Sequence, residues 1–559
     1  MASGIMIAVI IWYFDRGYPE IFSKEISRKI NTSIDTITGR SLSFDDDNIY
    51  NPDLIYRFYE KSGGVLSSNW NSREKIEQLI SAIHNASADG LNSEDYHVSE
   101  IERLMRKIIA SDKPDVEDVG RLEFLLRDSF LLLSSHLAIG KTDPETIDPQ
   151  WKVPGRRENH YWENLIDSTL TSGRISEFLQ HLLPVSPDYT YLKNALSEYR
   201  HLKEEGGWET FTTNLSKLEY GMIHPDVASL RKRLSVTQGY IKSDSANEDL
   251  FDKTLQDQVV IFQQRNGLLS DGVVGKATID AFNIPVEERI ETIEANLERW
   301  RWISDDLGKL YIRVNIANFE LRVMENDKPV FESPAIVGRK YRETPVFGSM
   351  LKYLILNPDW VVPPTILTND VLPAVIKDRS YLAKNNMKIL NTKGTEIDPS
   401  SIDWNSVSDK DFPYMIRQEP GLKCPLGRVK FVFPNQYDVY IHDTPSRSLF
   451  GQNVRTFSSG CIRISNAFEL AGYLLKDDPE WSMPNIQKAI DKGEKRTIIL
   501  KNPIPVYVLY LTAWADENGT VYFGKDVYNR DRQLIDALKQ VQPESINLSY
   551  LTGEIPVKN

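Results

Sequence analysis

The stretch Val439–Asn466, VYIHDTPSRSLFGQNVRTFSSGCIRISN, holds one histidine, His442, and one cysteine, Cys461. Val439 and Ile441 alternate with Tyr440 and His442, a period-2 pattern that predicts a strand. Ser458-Ser459-Gly460 precede Cys461, and such a small-residue run lets the backbone turn sharply and aim amide N–H groups into a pocket. If that turn returns Cys461 to the histidine, the two are a nucleophile and its base. The distribution of histidines agrees: of eight in the chain, His442 alone follows His224.

At 559 residues the chain has room for about three or four domains. Hydrophobic content of 41% and charged content of 26% are those of ordinary globular protein. The net charge is −13 with no basic block, so nucleic acid is not an expected partner. Two cysteines exclude a disulfide framework and a Cys-rich zinc site. No metal or organic cofactor is expected. A metallohydrolase is disfavoured by the single histidine after residue 224 and the lack of a His-Glu-x-x-His motif. A serine penicillin-binding enzyme is disfavoured because no Ser-x-x-Lys, Ser-Asp-Asn and Lys-Thr-Gly set is present.

Outward from the opening stretch, the pattern predicts a multidomain α+β chain. Ile5–Phe14 is an unbroken apolar run, of signal-peptide length and shorter than the ~20 residues of a spanning helix. Residues 1–24 therefore read as a signal peptide or signal anchor, and the polar residues up to 48 as a linker. Residues 45–220 read as a helical scaffold, with Leu122, Leu125, Leu126, Leu132 and Leu133 at 3–4 spacing, and with His97 and His136 structural. Residues 221–284 read as a three-helix unit (Val227, Leu230, Leu234; Leu255, Val259, Phe262; Ile279, Phe282). Residues 285–305 are one amphipathic helix returning to the scaffold. From Leu310 the period changes from 3.6 to 2, and 306–540 is β-rich, with a hairpin turn at Asn326-Asp327-Lys328, a turn at 502–505, a strand Val506–Trp514 and a closing helix Asp531–Leu538. Residues 365–420 interrupt the strands, as lids over active sites do.

His442 followed by Ser458-Ser459-Gly460-Cys461 and Arg463 resembles the YkuD-type L,D-transpeptidases, which cross-link bacterial peptidoglycan. That family often has histidine where this chain has Ser459. His442-Asp443-Thr444-Pro445-Ser446 together with Ser-Ser-Gly-Cys-x-Arg is similar to the large multidomain Gram-negative branch, the YcbB type. Asp89–His97 and Gly140–Pro144 resemble the scaffold of that branch. Phe262-Gln263, Asp271-Gly272, Gly275 and Thr278 resemble a peptidoglycan-binding module, residues 365–420 a capping subdomain, and Asn357-Pro358-Asp359-Trp360 a motif bordering the cleft. The resemblance implies a periplasmic protein in cell-wall biogenesis and cell shape, exported or tethered to the inner membrane by its apolar segment. It implies stem peptides, glycan strands and cell-wall synthases as partners, and carbapenems as inhibitors that acylate Cys461.

The residues themselves define a thiol acyl-transfer scheme. Cys461 is the nucleophile and His442 the general base and acid, the thiolate being favoured by an imidazolium and by a helix starting near Asn466 with Glu469 placed for a capping box. The N–H groups of Gly460 and Cys461 are the oxyanion donors. The Asp443 side chain should face away from His442, and its backbone carbonyl is the orienting group the family suggests. Arg463 either grips a substrate carboxylate or holds the Cys loop. Tyr440 either lines the pocket or packs, Ser459 is a pocket residue, and Trp360, which the resemblance puts at the border of the cleft, is expected rather to pack. Cys424 is non-catalytic, a Cys424–Cys461 disulfide being the inactivating alternative. The L-centre specificity and the diaminopimelate stem come from the resemblance alone, as does the 3→3 cross-link made when a side-chain amine resolves the thioester. An L,D-carboxypeptidase, a lipoprotein-anchoring enzyme and a non-catalytic wall-binding protein are the alternatives.

Overall fold

Leu122, Leu125, Leu126, Leu132 and Leu133 are all buried, because the helix that carries them, Val116–Ile139, is packed by helices Arg73–Asn85 and Val98–Ile109 in one apolar core. These coordinates are a computed structural model, which describes residues 43–44, 47–48, 70, 73–111, 115–156, 168–170, 172–244, 247–404, 407 and 412–540. His97 and His136 stay within the scaffold. His97 Nε2 lies 2.8 Å from an Asp128 carboxylate oxygen, and the Tyr96 hydroxyl lies 2.9 Å from His136 Nδ1.

Helices Pro225–Gln238, Lys253–Arg265 and Lys276–Phe282 close around a separate core of Val227, Leu230, Leu234, Leu255, Val259, Phe262 and Phe282. The Gln263 amide pins the turn between the last two helices. It donates to Asp271 Oδ1 at 3.0 Å and to the Val273 carbonyl at 3.0 Å, and accepts from Gly272 N–H at 2.9 Å. Helix Val286–Trp302 then returns to the scaffold. Its Glu298 accepts from Thr142 N–H at 2.7 Å, while its Arg299 pairs with Asp531 at 2.7 Å. One helix thus joins the scaffold to the closing helix Asp531–Lys539 of the β-rich domain.

The β-rich domain begins with strands β1 (Leu310–Asn315), β2 (Glu320–Glu325), β3 (Lys328–Gly338) and β4 (Val346–Leu356). Asn326 and Asp327 both take positive φ, 50° and 61°, the backbone that a tight hairpin turn between right-twisted strands requires. An insertion follows with its own four-stranded sheet, β5 (Trp360–Val361), β6 (Met387–Leu390), β7 (Glu396–Ile397) and β8 (Met415–Gln418), and its own core of Val362, Leu372, Val375, Ile389 and Ile416. The main sheet resumes with β9 (Val429–Val432), β10 (Ile441–His442), β11 (Thr456–Ser458), β12 (Ile462–Ile464) and β13 (Arg496–Leu509), before a hairpin of β14 (Ala513–Ala515) and β15 (Val521–Phe523). The order is β9-β10-β12-β3-β2-β1-β13-β4, and β9 also pairs with β4, so the path closes on itself. Closure removes free edges and encloses Ile312, Val314, Leu354, Phe431, Ile441 and Ile462, all fully buried.

Two expectations are corrected. The turn at 502–505 and a strand Val506–Trp514 are instead one strand, β13, with a register shift between Ile499 and Ile504, and Trp514 belongs to the following hairpin. Pro503 has no N–H to give the ladder, and a bulge absorbs that defect without ending the strand. The membrane-related localisation is also overturned: among the described residues no helix is long and apolar enough to cross a membrane. A ten-residue run such as Ile5–Phe14 would span only ~15 Å as a helix, about half of a bilayer core. That segment, and the signal-peptide reading of 1–24, lie outside the described residues.

Candidate active site

β10 lies between β9, antiparallel to it, and β12, parallel to it. Lys430 sits opposite His442 on one side, and Arg463 sits beside His442 on the other. Ile462 N–H donates to the Tyr440 carbonyl at 3.0 Å, which puts Cys461 beside Tyr440. Side chains alternate along strands and residues directly paired share a face. Tyr440, His442, Lys430, Cys461 and Arg463 therefore share one face, while Ile441, Ile462 and Phe431 fill the barrel core from the other. Strand spacing and rise set the Cα atoms of His442 and Cys461 roughly 8 Å apart on a diagonal, which a cysteine and an imidazole facing one way can span.

The Cys461 loop is fixed by its own backbone and by the 338–344 segment. Gly460 has φ of 111°, a conformation open to glycine and strained for L side chains. The Ser458 hydroxyl donates to the Cys461 carbonyl at 2.5 Å and accepts from Gly460 N–H at 3.1 Å. Thr344 Oγ1 donates to the Gly460 carbonyl at 2.8 Å, and Arg342 donates to Ser459 Oγ at 3.0 Å. Arg342 also pairs with Asp370 of the insertion at 2.9 Å, so one guanidinium links the Cys loop to the insertion. Because Gly460 N–H is engaged by Ser458, it is not a free oxyanion donor in this arrangement, contrary to the expectation.

His442 is buried, and its Nδ1 lies 2.6 Å from the Asp443 carbonyl oxygen. A carbonyl only accepts, so Nδ1 carries the proton and Nε2 is left with its lone pair. The Asp443 carboxylate turns away from the imidazole, accepting from Arg428 N–H at 2.8 Å and from Arg447 at 2.7 Å. Gly427, at φ of 63°, packs against that carboxylate so closely that a Cβ would meet its carbon at 2.5 Å.

The electrostatics correct the activation expected from the sequence. Burial, aided by the Arg463 cation, holds the His442 pKa down at about 3, and burial pushes the Cys461 thiol up. The resting pair is a neutral thiol and a neutral imidazole. The helix dipole does not help either. Helix Ala467–Leu474 begins only after strand β12 has intervened, and dipole effects fade within a turn. No side chain caps that helix, because Asn466 is occupied by Ser465 Oγ at 2.8 Å and by the Glu332 carbonyl at 3.3 Å. The thiolate is favoured instead by the nearby Tyr440 and by the cations of Lys430 and Arg463.

Arg463 has no hydrogen-bond or ion-pair partner among the described residues, and its Nε is buried without one. Of the two roles open to it, the structural clamp on the Cys loop is absent. Trp360, on β5 of the insertion, lies near enough to Tyr440 to act on its hydroxyl. Cys424 is buried, free, 3.4 Å from the Pro358 carbonyl, and pushed up to about 11 by burial. Cys461 is also free, so no disulfide joins the two. Sequence reasoning missed Lys430. Its signal was a charged residue alternating with Val429 and Phe431 on the strand paired with that of His442. Among the described residues no cluster of His, Cys, Asp or Glu could hold a metal.

The fold and site together define a class. Residues 309–498 match the family model of the L,D-transpeptidase catalytic domain (YkuD), residues 53–196 a scaffold domain model, and residues 223–282 the model described as "Putative peptidoglycan binding domain". A curated relative from Haemophilus influenzae, described as "Putative L,D-transpeptidase", is 35% identical over 244 residues, covering 44% of this chain and 49% of the relative. The chain thus spans about half the length of the curated relative it matches. Two solved structures are also similar. One is an L,D-transpeptidase from Mycobacterium smegmatis, 14% identical, covering 36% of this chain and 58% of that one at a TM-score of 0.17. The other is an LD transpeptidase in complex with imipenem, 15% identical, covering 36% and 59% at a TM-score of 0.17. Overlaps so slight carry no weight beside the sequence matches. The chain thus carries three regions in order that match the models of a scaffold domain, a peptidoglycan-binding domain and an L,D-transpeptidase catalytic domain.

Proposed function

We propose that this protein forms 3→3 cross-links in peptidoglycan by cysteine acyl transfer, with Cys461 as nucleophile and His442 as base and acid. The observation that carries this reading is the common face of Tyr440, His442, Cys461 and Arg463 across the parallel pairing of β10 and β12.

In the first step His442 Nε2 takes the thiol proton as the sulfur attacks the carbonyl carbon after the L-centre of the donor stem's third residue. Thiol and imidazole both start neutral, so charge develops only along the reaction path, where Lys430, Arg463 and the Tyr440 groups stabilise the sulfur. The Cys461 N–H is the donor this scheme leaves to the oxyanion. The imidazolium then protonates the departing D-alanine nitrogen, and a thioester remains. In the second step the side-chain amine of an acceptor stem attacks the thioester, its proton passes to His442, and the thiol is restored. Arg463, half-buried and without a side-chain partner among the described residues, supplies a planar fork for a stem carboxylate. The peptidoglycan-binding domain holds the glycan strand that carries the stems. Carbapenems acylate the same thiol on this reading.

Cys461→Ala tests it. Incubated with purified tetrapeptide muropeptides, the wild type yields 3→3 dimers by mass spectrometry and the variant yields none. Dimers from the variant would remove the nucleophile. Tripeptides in place of dimers from the wild type would make the enzyme an L,D-carboxypeptidase.

A further inference from the structure

Lys430 is a lysine on the working face of the site without a carboxylate in ion-pair reach among the described residues. It pairs with His442 across β9 and β10, and its ammonium lies 3.6 Å from the centre of the Tyr440 ring. Its flanking strand neighbours, Val429 and Phe431, are buried in the core. Lysine carries a strongly hydrated point charge, so holding one half-buried against an aromatic face costs solvation that an exposed surface site would not. Among the described residues no salt bridge recovers that cost.

The charged and titratable groups around it are few. On β10 they are Tyr440 and His442, and on the Cys loop and β12 they are Cys461 and Arg463. Asp359 and Asp438 act on it from a distance, but Asp359 is already paired with Lys495 at 2.5 Å. The Asp438 backbone carbonyl, not its carboxylate, contacts the Cys461 sulfur at 3.8 Å. The ammonium is thus held on the Tyr440 ring by cation–π contact, and the cation and the thiol act on each other electrostatically, with Tyr440 beside Cys461.

We propose that Lys430 is a positioning residue for the acyl-transfer reaction: clamped on Tyr440, its ammonium provides the standing positive charge that stabilises the Cys461 thiolate as the proton leaves. The proposal rests on Cys461 being the nucleophile. It assigns to Lys430 the electrostatic part that an imidazolium plays in a thiolate–imidazolium pair, a part His442 cannot play while it is neutral. Tyr440 then holds the cation beside Cys461.

The test is the rate of Cys461 alkylation by iodoacetamide against pH, read on the tryptic peptide Thr456–Arg463, which separates Cys461 from Cys424. Lys430→Met is expected to move the alkylation midpoint up by about one pH unit, and so to slow alkylation about tenfold at a fixed pH below it. Lys430→Arg, which keeps the charge, should restore most of the loss. With muropeptide substrate, kcat should fall in the Met variant while KM stays near that of wild type. A Lys430→Met profile that superposes on wild type overturns the proposal and leaves the nucleophile assignment standing, whereas cross-linking by Cys461→Ala overturns the assignment beneath it. A second measurement needs no variant: anionic iodoacetate should gain several-fold on neutral iodoacetamide at Cys461 relative to free cysteine, because two unpaired cations flank the sulfur. A ratio equal to that of free cysteine overturns the proposal as well.

Discussion

Ser458 braces Cys461 from behind, donating its hydroxyl to the Cys461 carbonyl at 2.5 Å while accepting from the Gly460 amide at 3.1 Å. Cys461, the proposed nucleophile, is therefore held by its own loop. Ser458 is buried, so its removal strands a carbonyl and an N–H that water reaches poorly, at a cost of about 1–3 kcal/mol. Ser458→Ala should lose roughly tenfold or more in kcat with a smaller change in KM, because the loop loosens while the binding cations stay. Steady-state dimer formation, with the thermal midpoint as a control, checks this.

The pH dependence of stability follows from His442. Its folded pKa is held down at about 3, below the ~6.5 of an unfolded histidine. Between those values the unfolded chain binds a proton that the folded chain does not, so stability falls as pH drops from about 6.5 and levels off only near 3. Above ~6.5 both states are neutral at this residue and the contribution is constant. His442→Gln should flatten that acid limb. Thermal midpoints of wild type and variant, measured at intervals from neutral pH to about 4, should converge as pH falls; parallel curves would deny the buried neutral imidazole.

Gly427 carries the positioning of His442, the proposed base. An alanine there would strike the Asp443 carboxylate and take a positive φ, two faults that together cost about 2–4 kcal/mol. Gly427→Ala should lower the thermal midpoint by several degrees and reduce kcat further than stability alone explains, since the Asp443 carbonyl orients His442. Comparing activity well below the midpoint with that of an equally destabilised core variant separates the two effects.

Arg342 couples the Cys loop to the insertion through Ser459 and Asp370. The Asp370 side chain is half exposed, so that ion pair is worth only ~0–1 kcal/mol. Asp370→Asn should leave kcat within about twofold of wild type. Arg342→Met, which also releases Ser459, should cost several-fold. Kinetics of the two variants side by side decide whether the bond to the Cys loop or the bond to the insertion matters more.

Much of this site was legible because strands repeat every two residues. Alternation around Ile441 put Tyr440 and His442 on one face, and the Ser-Ser-Gly run announced the sharp turn before Cys461. The helices of the three-helix unit were legible for the same reason at a period of 3.6. What stayed hidden depended on partners distant in sequence. Lys430 reads as a solvated residue until β9 is known to pair with β10. Gly460 reads as an oxyanion donor until Ser458 is seen to occupy its N–H. The imidazolium was expected because sequence carries no burial, and burial is the main cause of the neutral His442. Pro503 and Pro505 read as a turn because nothing local reveals that β13 continues past them against β4.

The central claim is a covalent thioester on Cys461. Mass spectrometry of the intact protein, rapidly quenched after mixing with tetrapeptide muropeptide, measures it directly. The account predicts an adduct equal to the donor acyl group without its terminal D-alanine, mapped to the peptide Thr456–Arg463 and absent from Cys461→Ala. Cross-linked product formed with no such adduct, or with the adduct on another residue, would contradict it.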